Sequence, residues 1–159
     1  MLGFFKGKSK DNIIYSPCKG KVVPITEVSD PTFSEKVLGD GFAVIPSEGK
    51  IYAPADGEIS MVFDTLHAVT MTTSQGTELL IHIGLDTVTL KGEPFISHVS
   101  GGQQVKKGDL LLEADLEKIK SAGLDTITPV LIGNTDDYNK INLIKEGEVS
   151  IDDEVLKIS

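Results

Sequence analysis

Turn-forming residues interrupt this sequence so regularly that only short elements fit between them. Tyr15-Ser-Pro-Cys-Lys-Gly20 leads into one apolar run and Tyr52-Ala-Pro-Ala-Asp-Gly57 into another, with Tyr, Pro and Gly at the same spacing 37 residues on. Each reads as a strand, a Pro-x-x-Gly turn and a second strand. The echo points to an internal duplication, two related β-units in one body. Gly41–Pro46, Lys50–Ala53, Glu58–Phe63, Val105–Glu113 and Ile127–Ile132 are further short β-prone runs, and Glu148–Ile158 supplies two strands about Asp152-Asp153. Pro129 marks its run as an edge or a bulge, because proline cannot donate to a ladder. Two segments read as short helices. Asp30–Gly39 has a capping Asp, a proline in the first turn and a terminal glycine, with Phe33, Val37 and Leu38 on its apolar side; Leu116–Ala122 is the other. Many short strands with turns between them argue an all-β sandwich or barrel with a few short helices.

The 159 residues suit one domain. Residues 1–12 read as a flexible N-terminal tail, in which Leu2, Phe4 and Phe5 precede Lys6, Lys8 and Lys10, and residues 13–159 as a single domain. No apolar run is long enough to span a bilayer, and no secretory signal opens the chain. A formal net charge of −9 excludes a nucleic-acid partner and suits partners with a basic docking face. Cys18 is the single cysteine, so internal disulfides and multi-thiolate metal sites are excluded, which fits a cytoplasmic location.

Candidate chemistry concentrates between Met61 and Leu90, which holds His67 and His82. Two β-prone runs flank Ser74-Gln75-Gly76 and predict a hairpin. A turn at Ser74-Gln75 places His67 opposite His82, and a turn at Gln75-Gly76 makes them diagonal neighbours. An odd register puts them on opposite faces, because one step of slip reverses every side chain. Asp86 beside His82 favours the even registers. His98, in a polar glycine-bounded stretch, reads as structural or surface.

Two facing imidazoles serve three chemistries. Metal binding needs more: zinc takes about four ligands, and no H-x-H or H-E-x-x-H occurs. His82-Ile-Gly84 lacks the H-x-H that a lysostaphin-like zinc hydrolase requires. General acid–base catalysis suits a group with a pKa near 6.5. Nucleophilic catalysis would use one neutral ring nitrogen to carry a phosphoryl group, with the second His donating to its oxygens. No P-loop or kinase glycine loop is present, so any phosphoryl group must arrive from another protein and leave to another.

Thr65-Leu-His67, Glu78-Leu-Leu-Ile-His82-Ile-Gly-Leu-Asp-Thr-Val88 and Leu90-Lys-Gly-Glu93 strongly resemble the glucose-type enzyme IIA proteins of the bacterial sugar phosphotransferase system. Val37-Leu-Gly-Asp-Gly-Phe-Ala-Val and Ala53-Pro-Ala-Asp-Gly resemble them too, and the likeness runs from about Ile13 to the C-terminus. The resemblance implies a compact antiparallel β-sandwich. It makes His82 the nucleophile phosphorylated by the phosphocarrier protein HPr, His67 the phosphoryl stabiliser and Thr65 the residue that orients His67. It places Asp86 at the rim and Phe33, Val37, Leu38, Phe63 and Val88 in the docking surround. The phosphoryl group would pass to the IIB domain of a sugar permease, the chain's one link to the membrane, and on to glucose or a related sugar. An alternative is a regulatory binding module whose phosphorylation state controls transporters and metabolic enzymes, kinases among them. No cofactor is required; His67 and His82 would share zinc only with a partner's carboxylate.

Overall fold

The computed structural model describes residues 11–159, so Leu2, Phe4, Phe5 and the lysines of the expected tail lie outside the described residues. Asn12, assigned to that tail, opens the first strand. In chain order the strands are β1 (Asn12–Tyr15), β2 (Gly20–Pro24), β3 (Asp40–Pro46), β4 (Lys50–Tyr52), β5 (Gly57–Val62), β6 (Ala68–Thr73), β7 (Glu78–His82), β8 (Phe95–Ser97), β9 (Gln104–Val105), β10 (Leu110–Ala114), β11 (Thr128–Ile132), β12 (Ile141–Leu143), β13 (Gly147–Val149) and β14 (Glu154–Ile158). Two short helices, α1 (Pro31–Ser34) and α2 (Leu116–Ser121), complete the regular elements apart from three 3-10 turns.

The strands form an eight-stranded sheet, ordered β13-β2-β3-β11-β7-β6-β5-β9, and two three-stranded sheets, β1-β14-β12 and β4-β10-β8. Every pairing is antiparallel. Alternation along the central strands builds two cores, because successive side chains leave opposite faces. Val22, Phe42, Val44, Val130 and Ile132 join Ile14, Ile51, Leu111, Leu112 and Leu156 in the main core. Val23, Ala43 and Leu131 point the other way and close a smaller core with Ile25, Val28, Phe33, Leu85 and Ile127.

The Tyr-x-Pro-x-x-Gly echo has a structural counterpart. Tyr15 N–H donates to the Pro54 carbonyl at 2.9 Å, and Tyr52 N–H donates to the Pro17 carbonyl at 2.7 Å, a reciprocal pair across the two repeats. The glycines match as well. A Cβ on Gly20 would lie 2.2 Å from the Ile45 carbonyl oxygen, and one on Gly57 would lie 2.3 Å from that of Thr72. Each repeat's strand pair is joined by an excursion, residues 25–39 after β2 and residues 63–67 after β5, and both excursions reach the histidines.

Two expectations change. The first helix is one turn, not ten residues: Asp30 Oδ1 accepts from Thr32 N–H at 3.0 Å, but the left-handed backbone at Lys36 (φ 60°) turns the chain away, so Val37 and Leu38 belong to an exposed loop. β11 is central, lying between β3 and β7. Proline is tolerated there because the ladder to β7 begins only at Val130, leaving Pro129 paired with β3 alone. The two strands expected about Asp152-Asp153 are β13 and β14, of which β13 extends the large sheet and β14 joins β1 to β12.

Candidate functional site

The hairpin register is odd: Ala68 faces His82, Val69 faces Ile81 and Thr72 faces Glu78. The even registers fail because the turn has three residues. Thr73 N–H donates to the Thr77 carbonyl at 2.8 Å, and Gly76, at φ 89°, closes the loop in the left-handed conformation such turns need. A regular β6 would then point His67 away from His82. It does not, because β6 begins at Ala68. Leu66 adopts φ 60° and donates its N–H to the Phe63 carbonyl at 2.7 Å, so His67 sits in a bend outside the pleat. The rings meet edge to face, with centroids 5.0 Å apart and planes at 83°.

A bulge helps. β5 and β6 pair Ile59 with Met71 but Met61 with Thr70, leaving Ser60 as the extra residue. Beyond it Val62 faces Val69, and Phe63 N–H donates to the Ala68 carbonyl at 3.0 Å. Phe63 thereby shares the face of His82 and packs on His67 with ring centroids 5.4 Å apart. From the other excursion, Phe33 packs on His82 at 5.1 Å. The surroundings of the two rings are therefore apolar on both sides, Phe33 against His82 and Phe63 against His67.

Each ring is anchored by its Nδ1. Thr65 Oγ1 lies 2.6 Å from His67 Nδ1, and the Gly84 carbonyl oxygen lies 2.7 Å from His82 Nδ1. A carbonyl only accepts, so His82 carries its proton on Nδ1 and its lone pair on Nε2. A hydroxyl that donates to His67 Nδ1 leaves that ring a donor at Nε2. Neither Nε2 has a protein hydrogen-bond partner among the described residues.

Burial first, and the neighbouring His82 second, push the His67 pKa down to about 4. Burial also lowers His82, opposed by the Gly84 carbonyl and by the charges of Asp30 and Asp86. Both rings are neutral at pH 7. The unfolded chain, with histidine pKa values near 6.5, binds more protons than the folded one between about pH 6.5 and 4, so stability is lost as the pH is lowered through that window. Urea unfolding at pH 7 and pH 5 should show this loss, and His67→Gln should reduce it; equal losses in both chains would contradict the buried neutral ring.

The remaining expected residues divide. Phe33 is 5% exposed and walls the site, whereas Val37, Leu38 and Val88 are exposed at 69%, 46% and 49%. Asp86 is exposed, with φ 60°, at the start of the 3-10 turn Thr87–Leu90. Sequence reasoning missed Gly84, Met61 and Asp30. Gly84 could have been read from its place two residues after His82. Met61, 48% exposed, joins the His82 face only through the bulge, and Asp30 was read as a helix cap alone. His98 pairs with Glu113 at 2.6 Å on the surface, and burial pushes the Cys18 thiol up to about 12, an inert core group. Among the described residues no three His, Cys, Asp or Glu side chains could hold a metal together, and no helix is long and apolar enough to cross a membrane.

Residues 12–138 match the family model described as phosphoenolpyruvate-dependent sugar phosphotransferase system, EIIA 1. The chain is 43% identical over 141 residues to the glucose-specific EIIA component of Oceanobacillus iheyensis, covering 89% of this chain and 86% of that one. It is 46% identical over 147 residues to the beta-glucoside-specific EIIBCA component of Bacillus subtilis, covering 92% of this chain but 24% of that protein. Thus it spans about a quarter of the length of that multidomain relative. The glucose permease IIA of Mycoplasma capricolum superposes with a TM-score of 0.88 at 36% identity, over 94% of this chain and 96% of that one.

Proposed function

The chain belongs to the EIIA 1 family of the phosphoenolpyruvate-dependent sugar phosphotransferase system, and on that premise we propose that it is a cytoplasmic phosphohistidine relay, with His82 taking a phosphoryl group from phospho-HPr and passing it to the IIB domain of a sugar permease. One observation carries this reading: the Gly84 carbonyl on His82 Nδ1 leaves a neutral Nε2 lone pair beside a second imidazole. That lone pair attacks phosphorus, and the bond to the donor breaks with its electron pair leaving on the donor. No proton moves, and the ring becomes positive. The Gly84 carbonyl, Asp30 and Asp86, which favour a charged His82, favour this positive ring as well. His67 Nε2–H donates to the phosphoryl oxygens where negative charge accumulates, and Thr65 fixes its tautomer.

Asp86 and Asp30 stand ready for a basic residue of the incoming protein. Val37, Leu38, Met61 and Val88 supply exposed apolar area for a docking partner, and Phe33 and Phe63 pack on the rings themselves. The sugar is chosen by the permease: relatives sharing this domain carry beta-glucoside, glucosamine and glucose names. Zinc fits here only in part. The chain offers two imidazoles, so His67 and His82 would hold the ion only when a partner adds a carboxylate; the relay needs none.

The test is transfer. Incubated with phosphoenolpyruvate, enzyme I and HPr, the chain should gain one phosphoryl group, read by intact mass, and lose it to a IIB domain. In His67→Gln the amide still offers an N–H to the phosphoryl oxygens, so acceptance persists. His67 has a second role that an amide lacks, because its ring can take up a proton once the doubly charged group sits beside it; without that, transfer onward should fail. Onward transfer at the wild-type rate would contradict the role given to His67.

A further inference from the structure

The turn that follows His82 is held by a residue the relay itself does not touch. Thr87 is fully buried, and its Oγ1 donates to the Ile83 carbonyl at 2.6 Å. The same Ile83 donates its N–H to the His67 carbonyl at 2.7 Å. One peptide segment therefore ties the backbone of His67 to the Thr87 hydroxyl. The next carbonyl along, that of Gly84, is the one seated on His82 Nδ1. The Thr87 methyl lies against Gly84 from within: a Cβ placed on Gly84 would come 2.6 Å from Thr87 Cγ2. On its outer side the turn is pinned where Leu85 N–H donates to the Asp125 carbonyl at 3.0 Å.

We propose that Thr87 is a positioning residue for the His82 nucleophile: its hydroxyl and methyl together hold the Ile83–Gly84 turn in the shape that keeps the Gly84 carbonyl on His82 Nδ1. The tautomer of His82 is then set at one remove. With the Thr87 hydroxyl gone, the Ile83–Gly84 peptide loses its buried donor, and the Gly84–Leu85 peptide, held then only where Leu85 N–H meets the Asp125 carbonyl, can rotate about that one remaining anchor. The Gly84 carbonyl leaves the ring, and the proton on His82 can move to Nε2, where it occupies the lone pair that must attack phosphorus.

The proposal rests on His82 as phosphoryl acceptor, so the test reads the tautomer without phosphorylation. Imidazole nitrogen NMR at neutral pH should find His82 of the unmodified chain as the Nδ1–H form. Thr87→Val keeps the branched shape and removes the donor, and it should bring the Nε2–H form to a comparable population. It should also slow phosphorylation by phosphoramidate, a small donor that needs no docking partner, by about tenfold, the loss of one buried hydrogen bond. Thr87→Ser keeps the hydroxyl and should restore the Nδ1–H form and bring the rate to within about twofold of wild type. Thr87→Ala removes the hydroxyl without setting a methyl against the carbonyl, so it gives the same reading if the valine variant does not fold. A folded valine or alanine variant with an unchanged His82 tautomer overturns the proposal. A shifted tautomer in a protein that no donor phosphorylates, wild type included, supports the positioning role while removing the relay reading.

Discussion

His82→Gln should abolish phosphoryl acceptance altogether while leaving the fold intact. The ring contributes one wall of a shallow apolar site, packed on Phe33 and His67, and it is half-buried at the end of β7, so an amide of similar reach fits the space. No other group can take over. His67 is buried, its Nδ1 is bound by Thr65, and its Nε2 is the donor, not the acceptor, when Thr65 donates. His98 is paired with Glu113 on the surface. Labelling through phosphoenolpyruvate, enzyme I and HPr should leave the intact mass of the variant unchanged, with circular dichroism matching wild type. A full phosphoryl gain by a folded His82→Gln chain would assign the nucleophile elsewhere.

The second large effect is expected at Gly84. Its φ of 77° lies in the left-handed region, and a Cβ there would stand 2.6 Å from Thr87 Cγ2 and 2.8 Å from the Asp125 carbonyl oxygen. The backbone oxygen cannot swing aside, so the turn itself must move. Left-handed strain contributes about 1–2 kcal/mol and overpacking about 1–3 kcal/mol. Gly84→Ala should therefore lose about 2–5 kcal/mol in urea unfolding, combining the same two terms. The surviving folded fraction should accept phosphoryl groups more slowly, because the carbonyl that fixes His82 Nδ1 has been displaced. A stability change below about 0.5 kcal/mol, the size of an ordinary surface substitution, would contradict this close packing.

Much of this was legible in the sequence. The Tyr-x-Pro-x-x-Gly echo, the many short strands and the short helix read at Leu116–Ala122, which runs Leu116–Ser121, follow from local chemistry, and local chemistry is what a sequence carries most directly. The histidine pair was legible as a pair, but for a reason the strand pattern did not contain. An even register was expected and an odd one occurs. The rings still meet because Leu66 adopts a left-handed backbone that β-periodicity does not foresee. The bulge at Ser60 is equally hidden: nothing in Glu58-Ile-Ser-Met-Val-Phe63 says that parity changes halfway, yet that change brings Phe63 to His67 and Met61 to the same face. Pro129 misled for a related reason. Whether a proline is tolerated depends on which neighbour's ladder stops short, and that is settled by strands distant in sequence.

In this relay the Gly84 carbonyl would select Nε2 of His82 as the nucleophile. That selection is tested most directly by nitrogen–phosphorus coupling in the NMR spectrum of the phosphorylated, isotope-labelled chain. One phosphoryl group, bonded to Nε2 of His82, is the expected result. A phosphoryl group on Nδ1 of His82, or on either nitrogen of His67, would contradict it.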